Sequence, residues 1–193
     1  EAFAFYPALK AWIEQGSEEL DVLARLLASP GLEYGVLPKG LLDFHAYASG
    51  ARTPFEEHLV EAALYASDGQ FARLHFTVSP EHRSRFESLA SQLIPKWEAH
   101  FGIRYELSFS EQKPSTDTVA VNMDNSLFRE SDGSLLFRPA GHGALLENLN
   151  DLQADVIFIK NIDNVVPDAL KDSTIVYKKA LGGLLVSILA QIE

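Results

Sequence analysis

Two short segments carry the residue types best suited to chemistry. Pro139-Ala-Gly141-His142-Gly143-Ala-Leu-Leu sets a histidine between two glycines at the opening of a helix-like stretch. Backbone without a β-carbon approaches a flat ring or an anion closely, and the amides at a helix start attract negative charge. Val156-Ile-Phe-Ile-Lys160-Asn161-Ile-Asp163-Asn164 reads as an apolar strand that ends in a polar cluster. A carboxylate just beyond the carboxyl end of a core strand can take Mg²⁺, which accepts one or two carboxylates plus phosphate oxygens. Each segment also has a plainer reading. Asp163 can be a turn residue that bonds locally, and Gly141 to Gly143 can be a tight entry into a helix.

Gln112, in Ser110-Glu-Gln112-Lys-Pro114, ends another strand. Its amide both donates and accepts, so it can read the edge of a base, although a surface glutamine is the commoner case. Lys39, in Leu37-Pro-Lys39-Gly40, is a point charge able to neutralise phosphate. His45, His58, His75, His82 and His100 show no zinc-protease pairing, and His75 reads as structural. No Gly-x-Ser-x-Gly, full phosphate loop or Gly-x-Gly-x-x-Gly is present, so the serine-hydrolase, P-loop and Rossmann readings lack support.

The elements that must position these residues follow from periodicity and caps. Phe5, Leu9 and Trp12 repeat as a helix, as do Leu20, Leu23 and Leu27 over about 18–27. Residues 31–53 read as loop with one short strand. Thr53-Pro54-Phe-Glu56 is a helix start with a cap, a first-turn proline and a capping-box glutamate; that helix runs to about residue 66. A strand over 71–78, a helix from Ser79-Pro80 to about 100 and a half-buried strand over 103–110 come next. Residues 111–140 form a loop-rich insert with short strands near 118–121 and 135–137, and with a hairpin turn at Asp132-Gly133. Helix 142–150, strand 155–160 and a closing helix over 174–191 complete the order. Strands alternating with helices imply a three-layer α/β sandwich with a mostly parallel sheet, one domain over 1–193.

Bulk composition narrows the partners. A net charge of −11, from 27 acidic and 16 basic residues, disfavours nucleic acid, whose phosphates need clustered cations. The absence of cysteine excludes disulfides, thiolate metal sites and cysteine nucleophiles, and fits a cytoplasmic protein. The most apolar stretch, 180–192, holds two glycines and reads as a packed helix too short to span a bilayer. The chain has no secretory signal at its start and no initiator methionine, and reads as a middle portion of something longer.

The order of the motifs resembles a known family. Pro38-Lys39-Gly-Leu-Leu, Thr53-Pro54-Phe, Phe109-Ser-Glu-Gln112, Gly141-His142-Gly143 and Asn161-Ile-Asp163-Asn164 are similar to the motif series of UTP-dependent sugar-nucleotide pyrophosphorylases, over roughly 36–166. The Leu37-Pro-Lys-Gly-Leu-Leu and Phe109-Ser-Glu-Gln-Lys-Pro-Ser-Thr-Asp-Thr segments also resemble an uncharacterised bacterial domain-of-unknown-function family (4301). The first resemblance implies a glycosyltransferase-A-like fold and transfer of a nucleotidyl group from UTP, or another nucleoside triphosphate, to a sugar phosphate. It assigns phosphate neutralisation to Lys39, nucleotide binding to Gln112, Gly141, His142, Gly143 and Asn161, and Mg²⁺ to Asp163. The family's glycine-rich nucleotide loop has no counterpart upstream of Lys39. Two other readings stand beside it: a non-catalytic sugar-nucleotide sensor, and an interaction module whose polar strand ends are ordinary turns.

Overall fold

The computed structural model describes residues 3–139 and 141–192, with the backbone alone at His142. Helix α1 spans Tyr6–Glu14 and α2 spans Glu19–Leu27. A 3-10 turn at Lys39–Leu41 leads to an antiparallel hairpin, β1 His45–Tyr47 and β2 Gly50–Arg52. Helix α3 covers Pro54–Tyr65 and begins as its cap chemistry dictates: Thr53 accepts from the Glu56 amide at 3.2 Å, and Pro54 occupies the first turn. Glu56 does not close the capping box. Its Oε1 accepts from Trp97 Nε1 at 3.0 Å and from Lys96 Nζ at 2.8 Å.

Strand β3 Phe71–Thr77, helix α4 Pro80–Phe101 and strand β4 Arg104–Ser110 form one β-α-β unit. The Arg104 amide donates to Gln70 O and the Val78 amide to Ser110 O, so both strands run the same way. Ala72 on β3, Val78 just past its end and Tyr105 on β4 are buried, while Arg73 and Glu106 pair on the opposite face. That alternation places one side of each strand in the core and leaves the other polar.

The chain divides into two compact units. The first holds residues up to Leu74, Ser84–Glu106 and everything from Val156 onward. Its core is α3, whose Phe55 and Leu59 are wholly buried, with Phe86, Ala90, Trp97, Tyr105 and Val165 around them. The Phe55 and Phe86 ring centroids lie 5.6 Å apart, and Tyr105 donates its hydroxyl to Leu59 O at 2.9 Å. Gly40 sits so close to this core that a β-carbon there would lie 2.9 Å from the Phe86 ring and 3.2 Å from Ile162. The glycine after Lys39 therefore serves packing. The last helix of this unit, α6, spans Lys171–Ile192.

The second unit holds His75–Arg83 and Leu107–Asp155. It contains two short strands, β5 Thr118–Val119 and β6 Phe137–Arg138, paired antiparallel, and helix α5 Leu146–Asn150. Between β5 and β6, Asp124 and Asp132 each bond the amide and hydroxyl of the serine two residues on, forming two Asx turns. Asn125 and Gly133 occupy their left-handed positions. The turn expected at Asp132-Gly133 is there. Asn148 ties α5 to the end of β4, donating to Ser110 Oγ and Glu111 O.

The three-layer sandwich with a mostly parallel, glycosyltransferase-A-like sheet is not what forms. The chain is mostly helical, 48% helix against 15% strand, with three separate two-stranded sheets among the described residues. Among the described residues, only β3 and β4 run parallel. Val156–Lys160, expected as a central strand, is irregular, and it has no sheet partner among the described residues. A strand exists only by pairing, and this apolar run packs by side chains instead: Phe158 meets Tyr65 edge-on at 5.3 Å. The helix expected over 142–150 is a 3-10 turn, His142–Leu145, followed by the five residues of α5.

Candidate functional site

Glu57 is the centre of a buried polar cluster in the first unit. It lies one turn before Glu61 on α3, and both carboxylates are buried. The β1–β2 hairpin brings His45 and Tyr47 to one side, because residues two apart on a strand share a face. Tyr47 donates its hydroxyl to Glu57 Oε1 at 2.6 Å, and His45 Nδ1 lies 2.9 Å from the same oxygen. Glu57 Oε2 accepts from Lys171 Nζ at 2.7 Å, with Arg52 Nη1 at 3.6 Å. Lys171 is the first residue of α6; it also reaches Val166 O and lies 3.4 Å from Asp168. Arg52 bonds Asp168 at 2.8 Å, and its guanidinium sits 3.9 Å from the Tyr47 ring centroid and 4.8 Å from that of Trp97. The hub thus fixes the root of α6 against α3 and the hairpin.

Burial on its own opposes ionisation of Glu57, but hydrogen bonds from Lys171, Tyr47 and His45 outweigh it and hold its pKa below the ordinary glutamate value. Burial, together with the hydrogen bond to Glu57, pushes the Tyr47 hydroxyl well above its ordinary value, so it stays a donor. A depressed carboxylate pKa adds stability above the unfolded-state value, and that stability is lost as pH falls through the folded value. In acid titrations followed by circular dichroism, Glu57→Gln should therefore flatten the decline in stability below about pH 4.5. An unchanged acid slope would show that Glu57 is not the group responsible.

Two further lysine–carboxylate contacts fasten the 156–168 segment to the same unit. Lys160 pairs with Glu61, whose side chain is almost fully buried. Lys39 Nζ lies 2.5 Å from Asp163 Oδ2, an exposed lysine on a half-buried carboxylate. The Ile162 carbonyl is 3.1 Å from His58 Nε2, and the Asn164 amide closes a turn on Asn161 O. The sequence-derived candidates Lys39, Asn161 and Asp163 thus fall together in the first unit.

The other candidates fall in the second unit. Gln112 donates to Asp117 Oδ1 at 3.3 Å. Gly141 takes a left-handed φ of 80° just before the 3-10 turn, a conformation that glycine adopts without strain. Gly143 has open space around it. The side chain of His142 lies outside the described residues.

Nucleotidyl transfer from UTP loses its structural basis here. The fold it requires is absent, and no group of three or more His, Asp or Glu placed to hold a metal ion occurs among the described residues. The transferase assignment and the sugar-nucleotide sensor built on the same site are therefore withdrawn.

Helix α6 departs most from expectation. Only its first part is packed: Lys171 is buried, and a β-carbon at Gly182 would lie 2.9 Å from the Phe158 ring. From Gly183 to Ile192 every side chain is exposed, although 180–192 carries no charged residue. The stretch is not the packed helix its composition implied. With its preceding turn, Asp168–Ile192 is long and apolar enough, by length and composition, to cross a membrane, contrary to the sequence reading.

His45, Tyr47, Arg52, Glu57 and Lys171 escaped the sequence reading. The one available signal was a pair of adjacent glutamates, Glu56-Glu57, inside an otherwise apolar helix start. Fold and site together define a mostly helical chain in which a buried ionic hub roots an exposed apolar helix. The chain belongs to the DUF4301 family, a domain of unknown function, which it matches over residues 1–193. No curated protein and no solved structure matches it. The family membership comes with no specific likeness to sugar-nucleotide pyrophosphorylases.

Proposed function

We propose that this chain is a docking module that presents the outer part of α6 to an apolar protein surface. One observation carries the reading: every residue of the uncharged helical stretch 183–192 is exposed, yet the root of the helix is held by the Glu57–Lys171 hub. Helices apolar all round are normally covered, and exposed apolar patches larger than a few hundred Å² mark interaction sites. A polar device that fixes the direction of such a helix suits recognition.

A bilayer is the less fitting occupant. The uncharged 180–192 stretch is only ~20 Å long at ~1.5 Å per residue, short of the ~30 Å hydrocarbon core. Lys178 and Lys179 interrupt the longer run. The stretch has no basic face to lie on a membrane surface, and the net charge of −11 is repelled by anionic lipid.

The apolar surface is directly measurable. At ~50 nM chain, below the micromolar affinities of weak association, bis-ANS should bind and fluoresce. Leu184→Lys/Leu185→Lys should reduce that signal several-fold with the helical circular dichroism unchanged. No dye binding, or binding indifferent to these changes, ends the reading.

A further inference from the structure

The spacing on α6 names the partner of the docking surface, and the inference rests on the reading just given. Tyr177, Leu181, Leu184 and Ile188 follow at intervals of four, three and four residues, the a/d spacing of paired helices. At ~100° per residue they share one stripe with Leu185 and Ile192. That stripe lies roughly a third of a turn around from Gly182, which faces Phe158. The far side of the helix carries Gly183, Val186 and Ala190, and Ser187 flanks the stripe. All six stripe residues are exposed, Tyr177 at 71% and Ile192 at 76%.

At ~180 Å² for a large apolar side chain, the stripe offers on the order of 650 Å², close to the ~800 Å² per partner of a stable interface. A helix with an a/d seam is complementary to another helix with the same seam. Among symmetric assemblies, the two-fold dimer needs only one such surface. An antiparallel crossing also keeps Lys178 and Lys179 of the two copies apart, avoiding like-charge contact.

We propose that α6 pairs antiparallel with the α6 of a second copy of this chain, through Tyr177, Leu181, Leu184 and Ile188. Sedimentation equilibrium of the whole chain, from roughly 1 to 200 μM, tests it across the range where weak dimers dissociate. The wild type should sediment at twice the chain mass. Leu184→Lys/Ile188→Lys should weaken the dimer at least ~100-fold with unchanged circular dichroism. Ala190→Lys, on the far side, should leave it dimeric.

A wild type that stays monomeric throughout overturns the proposal, as does equal loss of the dimer in Ala190→Lys. The two failures separate by dye and by lipid. A monomer whose bis-ANS signal depends on Leu184 keeps the docking surface and assigns it a different protein. A monomer that floats with phosphatidylcholine vesicles assigns it to a bilayer. A monomer that binds neither dye nor vesicle removes the docking reading as well.

Discussion

Lys171→Met should lower the free energy of unfolding by about 3–5 kcal/mol, the usual cost of removing one member of a buried ion pair. The side chains of Lys171 and Glu57 are 3% and 0% exposed, so water cannot replace the lost ammonium. Glu57 would keep the Tyr47 hydroxyl and His45, and Arg52 stands 3.6 Å away. Arg52 remains as a counter-charge but is held more closely by Asp168, at 2.8 Å, so it offsets only part of the desolvation of Glu57 and puts the loss toward the lower end of that range. Urea unfolding followed by circular dichroism reads the size of the loss.

The location of that loss matters as much as its size. Hydrogen exchange should speed up in the first turns of α6 while α4 stays protected, because the hub joins α6 to α3 and the hairpin. The double variant Glu57→Leu/Lys171→Met should recover part of the loss by removing the unpaired charge. Recovery stops short because Tyr47, His45 and Arg52 lose their shared acceptor. A single-variant loss under about 1 kcal/mol, the range of an exposed pair, would mean the hub does not hold the helix root.

Lys160→Met is the second large effect, at about 2–3 kcal/mol. Its side chain is 13% exposed and that of Glu61 is 1% exposed, so water reaches the pair from one side only, and the cost falls below that of a fully enclosed pair. Glu61 Oε1 has no hydrogen-bond partner among the described residues, and Tyr65 reaches only the other oxygen, at 3.2 Å. Lys39→Met makes the contrast, because Lys39 is 62% exposed. Its contact with Asp163 should be worth under about 1 kcal/mol. Both lysines hold the same stretch of chain, so limited proteolysis around residues 156–162 compares them directly. Faster cleavage in Lys160→Met alone is expected; equal cleavage in both variants would show that burial does not set the difference.

Much of the helical architecture was legible because its causes are local. The hydroxyl of Thr53, the ring of Pro54 and the spacing of Leu20, Leu23 and Leu27 act within a turn or two of themselves. The β3-α4-β4 unit was legible for the same reason: alternation and a proline start mark its parts. The strand over 156–160 was misread because an apolar run carries no sign of whether another strand will pair with it. Two of the sequence candidates, Lys39 and Asp163, meet each other in the fold across more than a hundred residues of sequence.

The sequence by itself determined where α3 and α4 begin, the turn at Asp132-Gly133, and that the chain offers no cysteine for chemistry, since each depends on neighbouring residues or on composition. Only the tertiary structure decided that Glu57 is a buried hub, because its partners His45 and Lys171 come from elements far apart in the chain. Only the tertiary structure decided that 183–192 stands uncovered, because an apolar helix has the same sequence whether or not anything packs against it. Burial is a property of the assembled surfaces, and no local rule contains it.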